Sequence, residues 1–246
     1  MLAAASRSGF RTNPAQDDKA AAILYPSFMT TTLNGPARPP AAGGMAKQLV
    51  VLLHGYGADG EDLIGLAPHW APLLPEAEFL SPHAPFPCEA APFGRQWFGF
   101  QGRRPEEVLE GVRKAASILD QYLTELLAER KMMEAQLALV GFSQGAMMSM
   151  FVSLRRAKPV AAVVAYSGRL FQPEALSTEL RARPKMLLVH GDADEVVPPA
   201  AHPAAVAALK AAQVPVEAML QPGLGHGIDD EGLTRGGHFL RDAFAT

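Results

Sequence analysis

The sequence predicts an α/β fold with a mostly parallel central sheet flanked by helices. Strand-like and helix-like segments alternate from residue 48 to the end of the 246-residue chain, which is the pattern of such folds. The strand-like segments are short, continuous apolar runs, as at 48–53 and 160–165, and such runs are typical of parallel strands covered on both faces. Functional residues are therefore expected at the carboxyl ends of the strands, where these sheets place their active sites.

The chain before the first central strand has a different composition. Residues 1–27 are rich in alanine and polar residues and show no period, so they predict an N-terminal tail, with one domain over 28–246. Within that domain, 28–33 (FMTTTL) is β-branched enough for an edge strand, and 35–44 is a Pro/Gly connector.

The remaining elements follow in order. Strands are predicted at 48–53, 77–80, 135–140, 160–165, 185–190 and 216–220, and helices at 63–70, 105–131, 146–156, 199–212 and 231–244. The clearest helix is 105–131, because its apolar residues recur close to a 3.6-residue period and Pro105 suits its first turn. An irregular stretch at 81–102 is rich in proline, glycine and aromatic residues, and loops of that length are often functional.

Composition excludes several classes of protein. Hydrophobic residues make up 48% and charged residues 19%, which indicates a soluble globular protein, and a net charge of -3 gives no reason to expect nucleic acid or an anionic membrane surface as partner. No apolar run approaches the roughly 20 residues of a transmembrane helix, so stable membrane insertion is not expected. The single cysteine, Cys88, excludes an internal disulfide and fits a reducing compartment. Without a signal-peptide core at the N-terminus, the expected location is the cytoplasm.

A candidate nucleophile lies between a predicted strand and a predicted helix. The sequence GFSQG at 141–145 places Ser143 between two glycines, which is the layout of a nucleophile elbow. Gly141 and Gly145 would make room for the strained backbone of a tight turn. The alternative is a chance match, and the strand before and helix after the motif favour the elbow.

A serine hydroxyl needs a base and an orienting acid to act as a nucleophile at neutral pH. Of the seven histidines, His226 fits best, because it follows the last predicted strand and gives the chain order Ser, Asp, His. The loop HGDADEVVP supplies two acid candidates, Asp192 and Asp194, which spacing alone does not separate. Asp192 could equally hold the loop by accepting hydrogen bonds from backbone N–H groups.

A second glycine-rich loop follows the first central strand. The sequence HGYG at 54–57 could direct a backbone N–H at a developing oxyanion, and the N–H of Gln144, directly after the nucleophile, would be the second donor. An ordinary strand-to-helix turn would also contain glycine, so this motif is informative only together with Ser143 and His226.

The pocket is expected to be open to solvent. The segment 166–184, where serine hydrolases of this architecture carry a separate lid domain, is too short for one. The loop 81–102 would form a wall with aromatic side chains, Phe86, Phe93, Trp97 and Phe98. Phe86 and Trp97 are the predicted substrate-lining residues of this loop, and the alternative is that its aromatic side chains belong to the core.

Together these motifs resemble the bacterial phospholipase/carboxylesterase family, relatives of the acyl-protein thioesterases. The resemblance covers roughly residues 28–244 and depends on LLHGYGADGEDL, SPHAPFPC, RQWF, GFSQGAMM, HGDADEVVP and GLGHGI. It implies an α/β-hydrolase fold, hydrolysis of carboxylic esters and thioesters, no metal or organic cofactor, and a possible homodimer. It also implies that Asp194 is the acid, that Tyr56 and Gln144 donate the oxyanion N–H groups, and that Val196 lines the acyl pocket.

The predicted function is a serine carboxylesterase that acts on short- to medium-chain esters. Two alternatives stay open: an acyl-thioesterase or lysophospholipase acting on longer chains, and a non-catalytic binding module on a hydrolase scaffold. The second is disfavoured because all three members of a triad are present.

Overall fold

The computed structural model describes residues 33–245. The predicted tail at 1–27 lies outside the described residues, as does the predicted strand at 28–33 apart from Leu33. Leu33 itself is buried and belongs to no strand.

One seven-stranded sheet organises this part of the chain. Its strands are β1 (Ala37–Arg38), β2 (Gln48–Leu53), β3 (Ala77–Leu80), β6 (Leu137–Phe142), β7 (Ala162–Tyr166), β8 (Lys185–Gly191) and β9 (Val216–Gln221). The order across the sheet is β1-β3-β2-β6-β7-β8-β9, and every neighbouring pair is parallel except β1 with β3. Two short strands, β4 (Phe86–Pro87) and β5 (Arg95–Gln96), form a separate antiparallel hairpin within the loop 81–102. The prediction of a mostly parallel α/β sheet is confirmed.

Helices cover both faces of the sheet. They are α1 (Gly60–Leu63), α2 (Ala67–Trp70), α3 (Pro105–Arg130), α4 (Gln144–Ser153), α5 (Leu176–Glu179), α6 (Ala201–Ala211) and α7 (Asp230–Phe244). On one face α3, α4 and α6 pack against the sheet, and on the other α1, α2 and α7 do so. Successive side chains of β2 alternate between the two cores, since Leu49 and Val51 belong to the first and Val50 and Leu52 to the second.

Some predicted boundaries move for local reasons. The predicted helix 63–70 begins earlier, at Gly60, because Asp59 caps it by accepting a hydrogen bond from the Glu61 N–H at 2.8 Å. It is also divided into α1 and α2 by a 3₁₀ turn at Ile64–Leu66. The predicted strand 135–140 starts at Leu137 and runs on to Phe142, because Gly141 and Phe142 continue the ladder with β7.

The register brings the polar loops together at the carboxyl edge of the sheet. Leu53 of β2 pairs with Gly141 of β6, and Phe142 pairs with Tyr166 of β7. The loops that follow these strands therefore start at one level. Between β7 and β8 lie only a 3₁₀ turn at Pro173–Ala175 and the four residues of α5, which fits the expectation of no separate lid domain. No helix among residues 33–245 is both long and apolar enough to cross a bilayer.

Candidate active site

Ser143 occupies a strained turn between β6 and α4. Its φ of 53° and ψ of -115° lie in a region that residues other than glycine seldom adopt, and its N–H donates to the Tyr166 carbonyl at 2.8 Å. A Cβ at Gly145 would lie 1.8 Å from the Leu53 carbonyl oxygen, and one at Gly141 would lie 2.3 Å from the Gly145 carbonyl carbon. Both glycines are therefore required by close backbone approach.

The loop after β2 lies directly against this serine. A Cβ at Gly55 would be 3.4 Å from the Ser143 Cβ, and Tyr56 and Gln144 border the same cavity as Ser143. Gln144 is the first residue of α4, so its N–H has no acceptor within the helix. The assignment of the Tyr56 and Gln144 N–H groups as oxyanion donors stays a prediction.

The buried Asp194 forms an acid–histidine pair with the half-buried His226. The Asp194 Oδ2 lies 2.7 Å from the His226 Nδ1, and its Oδ1 accepts hydrogen bonds from the N–H groups of Val196 and Val197 at 2.8 and 2.9 Å. Burial acts to raise the pKa of the Asp194 carboxyl, but the hydrogen bond from His226 and the two backbone N–H groups bring the pKa below its ordinary value. Asp194 is therefore ionised at neutral pH.

The other nearby carboxylates have structural partners. Asp192 is exposed and its Oδ1 accepts a hydrogen bond from the Gly223 N–H at 2.6 Å, which ties the acid loop to the loop after β9. Asp229 caps α7 by accepting from the Gly232 N–H at 2.8 Å. Of the two aspartates that spacing leaves open, Asp194 is the one that contacts His226.

His226 lies on the loop between β9 and α7 and borders the same cavity as Ser143. Its ring packs on that of Phe142, with the ring centres 4.9 Å apart. The acid and histidine loops approach closely, because a Cβ at Gly191 would be 2.0 Å from the Leu224 carbonyl oxygen. The structure therefore brings Ser143 and the Asp194–His226 pair to one cavity.

A second histidine contacts the same carboxylate, a role that was not predicted from the sequence. His190 is buried, and its Nε2 lies 3.3 Å from the Asp194 Oδ2 and 3.0 Å from the Val197 carbonyl oxygen. It is the second-last residue of β8, four residues before Asp194, in the sequence HGDAD. This short separation was a usable signal, but a histidine before glycine also suits an ordinary strand end.

A cavity of about 900 Å³ opens beside Ser143. Its apolar wall comes from α3, α4, the end of the loop 81–102 and the segment after β7, namely Phe98, Phe100, Val108, Leu109, Met147 and Phe171. Charged residues border it as well, namely Asp62, Arg103, Glu106, Arg169 and Glu174. Val196 also borders this cavity and is 67% exposed, and its role in lining an acyl pocket stays a prediction.

The prediction that Phe86 and Trp97 line the pocket is wrong. Trp97 is fully buried and does not border the cavity, and its Nε1–H donates to the His54 carbonyl at 3.0 Å. Phe86 lies in β4 at the hairpin, with the Lys114 Nζ 5.3 Å from its ring centre. The loop 81–102 turns inward at Trp97, so the next aromatic residues, Phe98 and Phe100, reach the cavity instead.

The side chain of Gln144 holds this loop against the elbow. Its Oε1 accepts from the Trp97 N–H and its Nε2 donates to the Phe98 carbonyl, both at 2.7 Å. From the sequence, Gln144 is predicted to act only through its backbone N–H, and nothing in the spacing of the motif indicates these side-chain contacts. Within residues 33–245 no group of three or more histidine, cysteine or acidic side chains could hold a metal ion. A reaction without metal or cofactor stays a prediction.

A mostly parallel sheet with a serine on a strand-to-helix elbow, and an acid–histidine pair on later loops, defines the α/β-hydrolase class. Residues 40–243 match the Phospholipase/Carboxylesterase family, and the chain belongs to that family of ester hydrolases. The esterase YpfH of Escherichia coli K12 is 33% identical over 198 residues, which are 76% of this chain and 79% of that protein. The carboxylesterase SOBER1 of Arabidopsis thaliana is 28% identical over 204 residues, 77% of this chain and 87% of that protein.

Solved structures agree with this assignment. The crystal structure of the esterase PE8 has a TM-score of 0.82 and 40% sequence identity, and the match covers 86% of this chain and 99% of that one. The crystal structure of SOBER1 has a TM-score of 0.68 and 26% identity, over 80% of this chain and 99% of that one. The predicted fold class, family and enzyme class are confirmed.

Proposed function

We propose that Ser143, His226 and Asp194 form a catalytic triad that hydrolyses carboxylic esters with short to medium acyl chains. The observation that carries the proposal is the 2.7 Å contact between the Asp194 Oδ2 and the His226 Nδ1, on the cavity that Ser143 borders at the elbow. An ionised carboxylate at Nδ1 holds the proton on that nitrogen, so Nε2 keeps the lone pair that a general base needs.

In the proposed reaction, His226 removes the hydroxyl proton of Ser143 as the serine oxygen attacks the ester carbonyl. The N–H groups of Tyr56 and Gln144 bind the oxyanion of the tetrahedral intermediate. The intermediate collapses to an acyl-serine, and the alcohol leaves with the proton from His226. Water then attacks the acyl-serine by the same route, which releases the acid and restores the serine.

The cavity sets the kind of substrate. About 900 Å³ lies near the upper end of the roughly 300–1,000 Å³ of small-molecule sites, and its wall along α3 and α4 is apolar. Such a wall suits an acyl chain, and the short segment between β7 and β8 leaves the site accessible to solvent. The same volume could hold a longer chain, which favours an acyl-thioesterase or lysophospholipase as the second candidate.

The triad is tested with a fluorophosphonate probe and esters of increasing length. Wild type should be labelled at Ser143, and Ser143→Ala should lose labelling and roughly 10⁴–10⁶-fold in kcat. Ser177→Ala is the matched control, because Ser177 is exposed and its hydroxyl donates to the Glu174 carbonyl at 3.0 Å, so this variant should keep full activity. Ester hydrolysis retained by Ser143→Ala would refute the triad, and an unlabelled, inactive wild type would favour a binding module.

A second experiment separates the substrate classes. Rates on p-nitrophenyl esters from acetate to palmitate should peak at short or medium length, whereas a maximum on palmitoyl esters, acyl thioesters or lysophospholipids would favour the second candidate. A cytoplasmic location, consistent with the single Cys88, and a homodimer remain predictions, and sedimentation velocity measures the latter.

A further inference from the structure

We propose that His54 is a positioning residue of the oxyanion hole, because its ring fixes the peptide unit that carries the Tyr56 N–H. The inference rests on the proposed function, since it takes that N–H as an oxyanion donor. His54 directly follows β2 and is fully buried, and the reaction as written above makes no use of it.

The hydrogen bonds of the ring define which nitrogen carries the proton. The Ala84 N–H lies 2.9 Å from the His54 Nε2, and the Gly55 carbonyl oxygen lies 2.7 Å from the Nδ1. A backbone N–H can only donate, so the Nε2 must accept and the proton of the neutral ring lies on the Nδ1. The Nδ1–H therefore donates to the Gly55 carbonyl.

That carbonyl belongs to the same peptide unit as the Tyr56 N–H. In a planar trans peptide, the C=O of one residue and the N–H of the next point in opposite directions. When the His54 ring holds the Gly55 carbonyl, it also fixes the direction of the Tyr56 N–H. The hydrogen bond polarises the amide as well, which makes its N–H a stronger donor.

The position of this peptide unit fits the role. Gly55 adjoins the nucleophile, since a Cβ built on it would be 3.4 Å from the Ser143 Cβ, and Tyr56 borders the cavity. Neighbours restrain His54 itself, because its carbonyl accepts the Trp97 Nε1–H at 3.0 Å and the Trp97 ring centre is 5.8 Å from its own. Burial lowers the pKa of the His54 imidazole to about 4, so the ring stays neutral over the range in which an esterase is assayed.

Two substitutions separate the two hydrogen bonds of the ring. His54→Asn places an amide N–H near the position of the Nδ1, so it can still donate to the Gly55 carbonyl and loses only the bond from Ala84. His54→Gln places its amide near the position of the Nε2, so it can accept from the Ala84 N–H and no longer holds the Gly55 carbonyl. Each variant loses the ring and one hydrogen bond, so the two differ mainly in which hydrogen bond is kept.

We expect His54→Gln to lower kcat on p-nitrophenyl acetate by about 10- to 10³-fold with little change in KM, up to the loss seen when an oxyanion donor is removed. His54→Asn should have a kcat much closer to that of wild type, because it keeps the hydrogen bond to the Gly55 carbonyl. Inhibition by a trifluoromethyl ketone, which forms an oxyanion on the serine, should weaken in His54→Gln in parallel with kcat. Equal kcat losses in both variants, or losses that follow the melting temperature alone, would overturn the proposal.

A measurement on wild type keeps the proposal testable if both variants fail to fold. Nitrogen-15 NMR of histidine-labelled enzyme at pH 7 should show His54 with its proton on the Nδ1, and a proton on the Nε2 would overturn the proposal. Failure of the triad itself looks different, since it appears as a wild type that the fluorophosphonate probe does not label at Ser143.

Discussion

Asp192 and Asp194 lie on one loop, yet their carboxylates have different partners. Both follow β8 at nearly the same distance, so spacing could not separate them. The turn of the loop separates them in space, because it directs the N–H groups of Val196 and Val197 at the Asp194 carboxylate and leaves Asp192 to hold Gly223. A difference that depends on loop conformation is not contained in residue order.

We expect Asp194→Asn to lower kcat by roughly 10⁴-fold, because an amide cannot hold the proton of His226 on the Nδ1 as an ionised carboxylate does. Asp192→Asn should keep kcat within about tenfold, since it weakens only a loop contact. Steady-state kinetics on one ester, with circular dichroism to check folding, makes the comparison. A larger loss in Asp192→Asn would show that the acid is wrongly assigned.

The buried His54 predicts how stability depends on pH. Burial lowers the pKa of its imidazole from 6.5 to about 4, so between these values the unfolded chain binds a proton that the native chain does not. Acidification through this window should therefore destabilise the native state by up to about 3 kcal/mol, and no further contribution from His54 is expected below pH 4. Urea unfolding at pH 6.5, 5 and 4 measures this contribution.

The matched comparison uses His54→Asn and His69→Asn. The first should flatten the slope of stability against pH, whereas the second, at an exposed position, should leave it as in wild type. Burial also lowers the pKa of His202, so part of the slope should persist in both variants. Identical slopes in wild type and His54→Asn would contradict the prediction.

At the scale of single elements, the contact between β2 and the start of α4 leaves no room for a side chain. A Cβ at Gly145 would lie 1.8 Å from the Leu53 carbonyl oxygen, and backbone cannot yield by that distance without moving the strand or the helix. The sequence predicts that Gly141 and Gly145 make room for the elbow, but it does not tell which strand lies against it.

Gly145→Ala should destabilise the protein by about 2–4 kcal/mol or more and displace Ser143, because overpacking a buried contact forces backbone shifts. Gly65→Ala is the control, since a Cβ there meets no atom within 4 Å, and its stability should change by less than about 1 kcal/mol. Thermal unfolding and fluorophosphonate labelling measure both effects. A stable, fully labelled Gly145→Ala variant would show that the backbones can separate at little cost.

Elements differ in how well the sequence predicts them. The long helix α3 and the buried strand β2 are predicted almost to the residue. The 3.6-residue period of α3 extends over many residues, and β2 is a continuous apolar run. The strands β4 and β5 are two residues long and have no period of their own, so the hairpin within the loop 81–102 is missed. For the same reason the sequence does not tell which aromatic side chains of that loop face the cavity, and the prediction of Phe86 and Trp97 there is wrong.

At the scale of the whole molecule, alternation along the chain predicts the kind of sheet but not the order of its strands. The order β1-β3-β2-β6-β7-β8-β9 depends on which connections cross which face, and several orders would bury the same apolar runs. The site was still predictable in outline, because every parallel order places the ends of the strands at one edge. The contacts of the His54 ring with Ala84 and of the Gln144 side chain with Trp97 and Phe98 could not be predicted, since they join segments that are neighbours only in the folded chain.

The two tryptophans divide between the two faces of the sheet, with Trp97 in the core of α3, α4 and α6 and Trp70 in the core of α1, α2 and α7. Each face thus carries its own fluorophore.

In Trp70→Phe the emission reports only the face next to the cavity, and in Trp97→Phe only the opposite face. Because both cores share the same strands, the two variants should give coincident urea unfolding curves once each is scaled to its own stability. Emission curves that differ between the two variants after this scaling would show that one face loosens first. An acyl-chain ligand should shift the emission of Trp97 while leaving that of Trp70 unchanged.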